Sequence, residues 1–509
     1  KRPVRNILPV YFPNLPTEES EEMRRITIDP ITRLEGHGKI EIFLNDAGEV
    51  ENAYFQVPEL RGFEKFCEGR HVEEMPLITP RICGVCPEAH HLASTKACDA
   101  VFRVDPPEPA KKLRELFYCA HMIHSHIAHF YALAGPDFVV GPDAPPAERN
   151  ILGVVAKVGL QLGGEVIKHR AYAQEIQALI GGKATHPVCG LPGGMSKPIT
   201  EDDRKEIEAK AESCVDFARL TIKVFDDVVL KNKNYLDLIL SKDLYYMETY
   251  YMGLVDAENR VNFYDGDIRV VSPEGKEFAK FKPPDYLSHI AEHVEPWSYL
   301  KFPYLKAIGW KGFTTGSDSG IYRVAPLARL NVADGMATPL AHAEYERMYE
   351  TLGYKPVHHT LAMHWARVIE MLYAAERLLE LSRDKGIVTP EIRTIPAATP
   401  DEGVGVVEAP RGTLFHHYKT DANGVLQKVN LIVATGNNNA AISLSVKKAA
   451  QGLIKKGEVN EGLLNMVEMA FRAYDPCLAC ATHLLSGRIP LTVSIRNPEG
   501  EIIQTLKRR

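Results

Sequence analysis

Two Cys-x-x-Cys pairs stand near opposite ends of the chain. Cys83 and Cys86 lie in Arg81-Ile82-Cys83-Gly84-Val85-Cys86-Pro87-Glu88-Ala89-His90, and Cys477 and Cys480 in Asp475-Pro476-Cys477-Leu478-Ala479-Cys480-Ala481-Thr482-His483. Thiolates are soft donors that select zinc, copper(I), nickel and iron. Cysteines at i and i+3 can converge within one turn, so the four predict a metallocentre. A small zinc ribbon separates its two pairs by roughly 15–20 residues. Here most of the chain intervenes, so a shared metal must lie where the two ends of a large fold meet. On spacing alone a structural zinc remains an alternative.

The elements that must bring those ends together can be read from periodicity. Residues 25–57 read as strands: Lys39-Ile40-Glu41-Ile42-Phe43-Leu44 alternates, and Asn45-Asp46-Ala47-Gly48 turns the chain before Val50 to Val57, leaving Glu35 in a loop. From Glu108 to about Gly135, apolar residues recur at helical spacing, with a stop expected before Gly135-Pro136. Further helices are expected from Ile151 to Ile180, from the capping-box pattern at Thr200 to about Leu230, and from Thr360 to Arg383. His364 in the last of these reads as a core or interface histidine. Residues 243–335, rich in Tyr, Gly and Pro, read as an irregular stretch within a mostly helical body spanning 108–384. Residues 408–435 read as a hairpin turning at Asp421-Ala422-Asn423-Gly424, with Arg411 at its mouth. In 460–483 a helix delivers Asp475-Pro476-Cys477 just past its end, since Pro476 cannot continue the ladder. The expected fold class is α+β: a large, mainly helical core with β-hairpins at both ends. Residues 1–483 would form one catalytic domain and 484–509 a carboxy-terminal extension.

With 509 residues, 45% of them hydrophobic, the chain can bury a metal deeply. The formal charge of −6, from 60 basic and 66 acidic residues, argues against nucleic acid. The acidic stretch Glu18 to Glu22 reads as a solvated terminus. No run of about 18 apolar residues suggests a membrane span. Lys1-Arg2-Pro3-Val4-Arg5, leading into Pro9, Pro13 and Pro16, offers no apolar signal core. A cytoplasmic protein is therefore expected. The other five cysteines, Cys67, Cys98, Cys119, Cys189 and Cys214, are scattered as reduced thiols would be. Cys98 and Cys119 read as small buried apolar residues. These five form no recognisable iron–sulfur framework, which would need four in a motif. Electrons from a metal site must therefore leave through another polypeptide.

Arg81-x-Cys83-Gly84-x-Cys86-x-x-x-His90 and Asp475-Pro476-Cys477-x-x-Cys480-x-x-His483 resemble the two nickel-binding signatures of the large, catalytic subunit of nickel–iron hydrogenases. Thr32-Arg33-Leu34-Glu35-Gly36-His37, Arg61-Gly62-Phe63-Glu64, Tyr322 to Arg329 and Glu408-Ala409-Pro410-Arg411-Gly412 resemble the same family, in the same order. The resemblance implies reversible heterolytic cleavage of dihydrogen at a buried nickel–iron centre. It makes Cys83 and Cys477 terminal nickel ligands and Cys86 and Cys480 bridges to an iron carrying carbon monoxide and cyanide. It hangs the Arg411 guanidinium over the metals beside Pro410, makes Glu35 the first proton relay from Cys477, and places Arg81 and His90 around the sulfurs. Glu64 and His483 match ligands of a separate magnesium. The family usually places an Asp ahead of His126-Ile127-Ala128-His129-Phe130-Tyr131, where this chain has Ser125, which leaves Asp475 as the expected partner of Arg411.

An iron–sulfur small subunit is the implied partner, with further flavin or heterodisulfide-reductase modules. Residues 484–509 resemble a maturation peptide removed after His483. The pairs His358-His359 and His416-His417 have no defensible ligand spacing and read as structural or surface residues. The competing readings are a non-catalytic coupling subunit related to the quinone-reducing respiratory complex, whose members lack the cysteine pairs, and a zinc-stabilised scaffold.

Overall fold

The computed structural model describes residues 25–57 and 59–481, with the backbone of 491–496 and 502–508. Its amino-terminal part is an antiparallel meander of β1 (Arg25–Ile28), β2 (Lys39–Leu44) and β3 (Val50–Gln56), in which Ile40 faces Phe55 and Ile42 faces Ala53. Ile40, Ile42, Leu44 and Phe55 are buried, as the alternation requires. Helix α1 (Pro87–Val101) starts directly after Cys86, with Pro87 at its first position, where the missing N–H costs nothing.

The body is built from α2 (Glu108–Ile127), α3 (Leu160–Gly181), α4 (Glu201–Phe225) and α6 (Met363–Arg383), with α6 packed on α2 and α4 and α3 packed on both of those. Between α4 and α6 lies α5 (Pro326–Val332). The Thr200 capping box forms: Thr200 Oγ accepts from Asp203 N–H and the Asp203 carboxylate accepts from Thr200 N–H. Helix α4 buries Ile207, Ala211, Cys214, Phe217, Ala218 and Phe225 along one stripe.

The helix beginning at Glu108 does not stop before Gly135. It continues as π-helical turns over Ala128–Ala134 and Pro136–Val140. A proline ring collides with the carbonyl four residues back in an α-helix, and the wider i→i+5 turn relieves that contact.

The 243–335 stretch holds more regular structure than its composition suggests. A four-stranded sheet runs β7 (Tyr322–Arg323), β4 (Tyr250–Val255), β5 (Asp267–Val271), β6 (Glu277–Phe281), over a small core of its own that includes Met252, Ile268 and Phe415.

The expected hairpin of 408–435 is a three-stranded antiparallel meander, β8 (Glu402–Ala409), β9 (Gly412–Thr420) and β10 (Leu426–Ile432). Arg411 therefore sits in the tight turn between β8 and β9, and the Asp421 to Gly424 turn joins the other pair. Glycine decides how close this meander comes to α1: a Cβ on Gly405 would lie 2.1 Å from the carbonyl oxygen of Ala93, and one on Gly403 2.4 Å from the nitrogen of Val101. Residues 403 and 405 share one face of the strand, and only without side chains can α1 lie flat on it. This contact fixes the first cysteine pair relative to Arg411.

Helices α7 (Ala434–Leu453) and α8 (Glu461–Arg472) then lead to the short α9 (Leu478–Ala481), and β11 (Leu491–Arg496) pairs antiparallel with β12 (Ile502–Arg508). Among the described residues no helix is long and apolar enough to cross a membrane.

Candidate metal centre

Four buried sulfurs meet at the junction of the two chain ends. Cys83 follows a 3-10 turn in extended conformation, and its Sγ accepts from the backbone N–H of Val85 (3.2 Å) and Cys86 (3.3 Å). Cys477 is presented by Asp475, in left-handed conformation (φ 54°), and Pro476. Its N–H donates to Thr435 Oγ1 at the start of α7 (3.0 Å), and Leu478 N–H donates to the Glu35 carbonyl (3.0 Å). Cys480 lies in α9.

The resulting Sγ separations are 3.1 Å for Cys83–Cys477, 3.4 Å for Cys86–Cys480 and 2.9 Å for Cys477–Cys480, and all four sulfurs lie within 4.8 Å of one another. A disulfide would need about 2.05 Å, and all four are free thiols. Burial pushes Cys477 and Cys480 well above the ordinary thiol range, while at Cys83 burial is outweighed by hydrogen bonds from the neighbouring thiols, which hold it well below; four thiolates this close would repel one another without a cation among them. A buried all-sulfur donor set suits a soft metal such as nickel or iron.

Around the sulfurs, Glu35 Oε2 accepts from Cys477 Sγ (2.9 Å) and from Ala479 N–H (3.1 Å), and burial raises this carboxyl above its usual range. The Arg411 guanidinium, almost fully buried, pairs with Asp475 at 3.0 Å and reaches Ser125 Oγ at 3.4 Å. Asp475 is thus its ionic partner, and Ser125 occupies the second side of the guanidinium as a neutral acceptor. His90 Nε2 lies 3.4 Å from Cys480 Sγ, and burial lowers its pKa to about 4, which keeps the ring neutral at physiological pH.

Glu64, buried, accepts from Leu431 N–H (2.7 Å) and lies 3.4 Å from the Lys301 ammonium. His483 lies outside the described residues, as does residue 484, where the expected extension begins. Arg81 is not drawn to the sulfurs: it is exposed, because the Thr79–Ile82 turn points it outward, and Arg61 Nη1 instead bonds the Ile82 carbonyl. Of the expected structural or surface places His416 takes the structural one: it is fully buried and bonds both His90 and Tyr418. His358 and His364 are buried structural groups, stacked on Tyr251 and His129 respectively.

Two networks that position the centre were not legible as such in the sequence. Arg329 of α5 pairs with Glu370 of α6 (2.6 Å) and Glu408 of β8 (3.0 Å), and its Nη atoms donate to the carbonyls of Ala409 (2.8 Å) and Pro410 (3.1 Å). Every one of these side chains is fully buried, so this cluster rigidly holds the turn that carries Arg411. The second network anchors the Glu35 loop. Arg33, at φ 54°, donates to the Leu133 carbonyl (2.8 Å), Asp137 (2.5 Å) and Asn465 (2.8 Å), while Asp137 also binds Arg472 (2.6 Å) and Thr32 Oγ1 donates to Glu468 (2.5 Å). Arg33, Arg329 and Glu408 belong to the motifs carrying the resemblance. Glu370, Asp137 and Arg472 had no such signal, since charges on helices usually mark solvated faces.

Comparison with known proteins agrees with this geometry. A family model described as nickel-dependent hydrogenase matches residues 61–151 and 278–483, and one described as HoxL-like matches 25–60. The chain is 51% identical over 486 residues to an F420-non-reducing hydrogenase subunit of Archaeoglobus profundus, covering 95% of this chain and 100% of that one. It is 38% identical over 499 residues to the NAD-reducing hydrogenase HoxS subunit beta of Cupriavidus necator, covering 94% and 99%. A crystal structure of an NAD+-reducing NiFe-hydrogenase in the H2-reduced state superposes with a TM-score of 0.84 at 38% identity, over 90% of this chain and 99% of that chain. The Ni-Fe-Se hydrogenase of D. vulgaris Hildenborough follows with a TM-score of 0.72 at 25% identity, over 90% and 100%. The chain therefore belongs to the nickel-dependent hydrogenase family, among its large subunits.

Proposed function

We propose that this chain is the catalytic subunit of a nickel–iron hydrogenase that cleaves dihydrogen reversibly into protons and electrons. The observation that carries the proposal is the convergence of four buried sulfurs with one carboxyl oxygen 2.9 Å from Cys477 Sγ. Bound among those sulfurs, nickel and iron would polarise dihydrogen and take up its electron pair. Cys83 and Cys477 would hold nickel alone, and Cys86 and Cys480 would share it with an iron bearing carbon monoxide and cyanide.

The chain's own residues do the rest. Glu35, held by the Ala479 N–H, takes the proton at Cys477 Sγ, because burial raises its affinity for one. Arg411 and the backbone N–H groups that follow Pro410 in its turn would supply donors to the bound group, and the buried shell of α1, α7 and α9 excludes water. Glu64 and His483 would hold a magnesium. That hard ion suits oxygen donors and would have to share Glu64 with Lys301.

Cys67, Cys189 and Cys214 are pushed by burial up to about 11, 12 and 12, so they behave as inert core thiols. Electrons would accordingly leave through an iron–sulfur small subunit, then through a flavin or heterodisulfide-reductase module. Nine free thiols suit a reducing, cytoplasmic compartment. Metal analysis with infrared spectroscopy of the purified complex tests the proposal. Nickel and iron in equal amounts with carbonyl and cyanide bands are expected. Zinc alone, or no bound metal, would mean a scaffold instead.

A further inference from the structure

Behind Cys480 runs a line of hydrogen-bonding groups that the proton path through Glu35 does not use. His90 Nε2 lies 3.4 Å from Cys480 Sγ, His90 Nδ1 lies 3.1 Å from His416 Nε2, and His416 Nδ1 lies 2.6 Å from the Tyr418 hydroxyl. Tyr418 also lies 2.9 Å from Ser94 Oγ. His90, His416, Tyr418 and Ser94 are all buried. His90 and Ser94 come from α1, and His416 and Tyr418 from alternate positions of β9, so the line crosses the interface that Gly403 and Gly405 allow.

Each neutral imidazole has one donor and one acceptor nitrogen. Three contacts in series can therefore run in only two directions. A metal-bound thiolate is an acceptor only. If Cys480 is metal-bound, its contact is made only when His90 carries its proton on Nε2. His90 Nδ1 is then bare and needs the Nε2–H of His416, which leaves His416 Nδ1 bare in turn. The Tyr418 hydroxyl lies 2.6 Å from that nitrogen, closer than the 2.9 Å to Ser94 Oγ, and can give it its proton. Ser94 Oγ, placed to accept from the tyrosine hydroxyl, is the competing acceptor for that proton.

We propose that Tyr418 is a positioning residue for the metal centre: by donating to His416 Nδ1 it sets the tautomers of His416 and His90 and so aims an N–H at the Cys480 sulfur. A donor on a metal-bound sulfur draws charge from the metal and raises its potential. The proposal rests on the assignment of Cys480 as a metal ligand.

The test is Tyr418→Phe in the complete complex, read by metal content, infrared spectrum and midpoint potential. The expected result is parental nickel and iron content, with the carbonyl band shifted to lower wavenumber and a lower midpoint potential. Ser94→Ala, which leaves the tyrosine proton in place, is expected to retain the parental band. The pair Tyr418→Phe with His416→Gln is expected to return the band towards its parental position, because a glutamine amide can donate to His90 Nδ1 without a second donor behind it. Parental bands in a metal-loaded Tyr418→Phe protein would overturn the inference. If Tyr418→Phe loads no metal, recovery of loading in the paired variant supports it and absence of recovery overturns it. A parental protein with no nickel, iron or bands would instead defeat the functional assignment itself, so the two failures are distinguishable.

Discussion

Glu35 and Cys477 pair as an isolated parallel β-bridge: the Cys477 thiol donates to the Glu35 carboxylate at 2.9 Å, and the N–H of the next residue, Leu478, donates to the Glu35 carbonyl at 3.0 Å. The carboxyl is therefore held on the sulfur by backbone as well as by its own hydrogen bond. Glu35→Gln preserves the size of the side chain and removes its ability to carry a proton. Full metal content with proton–deuterium exchange lowered about 10²-fold or more is expected, the usual scale of a lost acid–base group. Exchange at the parental rate would require another exit.

Each of Cys83→Ser, Cys86→Ser, Cys477→Ser and Cys480→Ser should abolish dihydrogen turnover, since an alcohol is a poor ligand for a soft metal. Nickel and iron content measured beside activity separates loss of metal from loss of chemistry. Near-parental activity in any one of the four would remove that sulfur from the proposed ligand set.

Asp137 is expected to matter for stability without touching the centre. Burial alone would raise its carboxyl, but Arg472 and Arg33 outweigh that and hold it below the usual carboxylate range. The sign follows from the depressed folded value: the contribution is fully present above the unfolded pKa of about 3.9 and is lost as pH falls through the lower folded value. Asp137→Asn leaves two guanidinium groups without their buried partner and should cost about 3–5 kcal/mol. Denaturant melts at pH 7 and pH 3 check both statements, and the deficit of the variant should shrink at the acid end.

The functional subunit is expected to end at His483, with the form that retains Leu484 to Arg509 inactive. Intact-mass measurement on active enzyme checks this. A fully active population carrying residues 484–509 would overturn the maturation reading and leave the metal assignment standing.

The four cysteines, their i, i+3 spacing and the Glu35 and Arg411 motifs could be recognised in the sequence because each is local, carried by a few adjacent residues whose chemistry does not depend on where they fold. The strands of 25–57 and the helix opened by the Thr200 capping box were legible for the same reason. What the sequence could not supply was burial.

Glu370, Asp137 and Arg472 read as ordinary charges far along the chain from Arg329, Glu408 and Arg33, yet the six form two ionic clusters, the first fully buried and the second buried except for the partly exposed Arg33. His416 likewise became part of the site only when the β8–β9 pair was laid on α1, a contact that depends on two glycines of β8 whose missing side chains have no signature of their own. Tertiary structure also decided that the π-helical turns carry the chain past Pro136, and that Arg81, inside a nickel signature, faces outward. Local patterns specify which atoms can do the chemistry. Whether those atoms meet depends on long-range packing, because desolvation and close approach arise only when distant segments exclude water together.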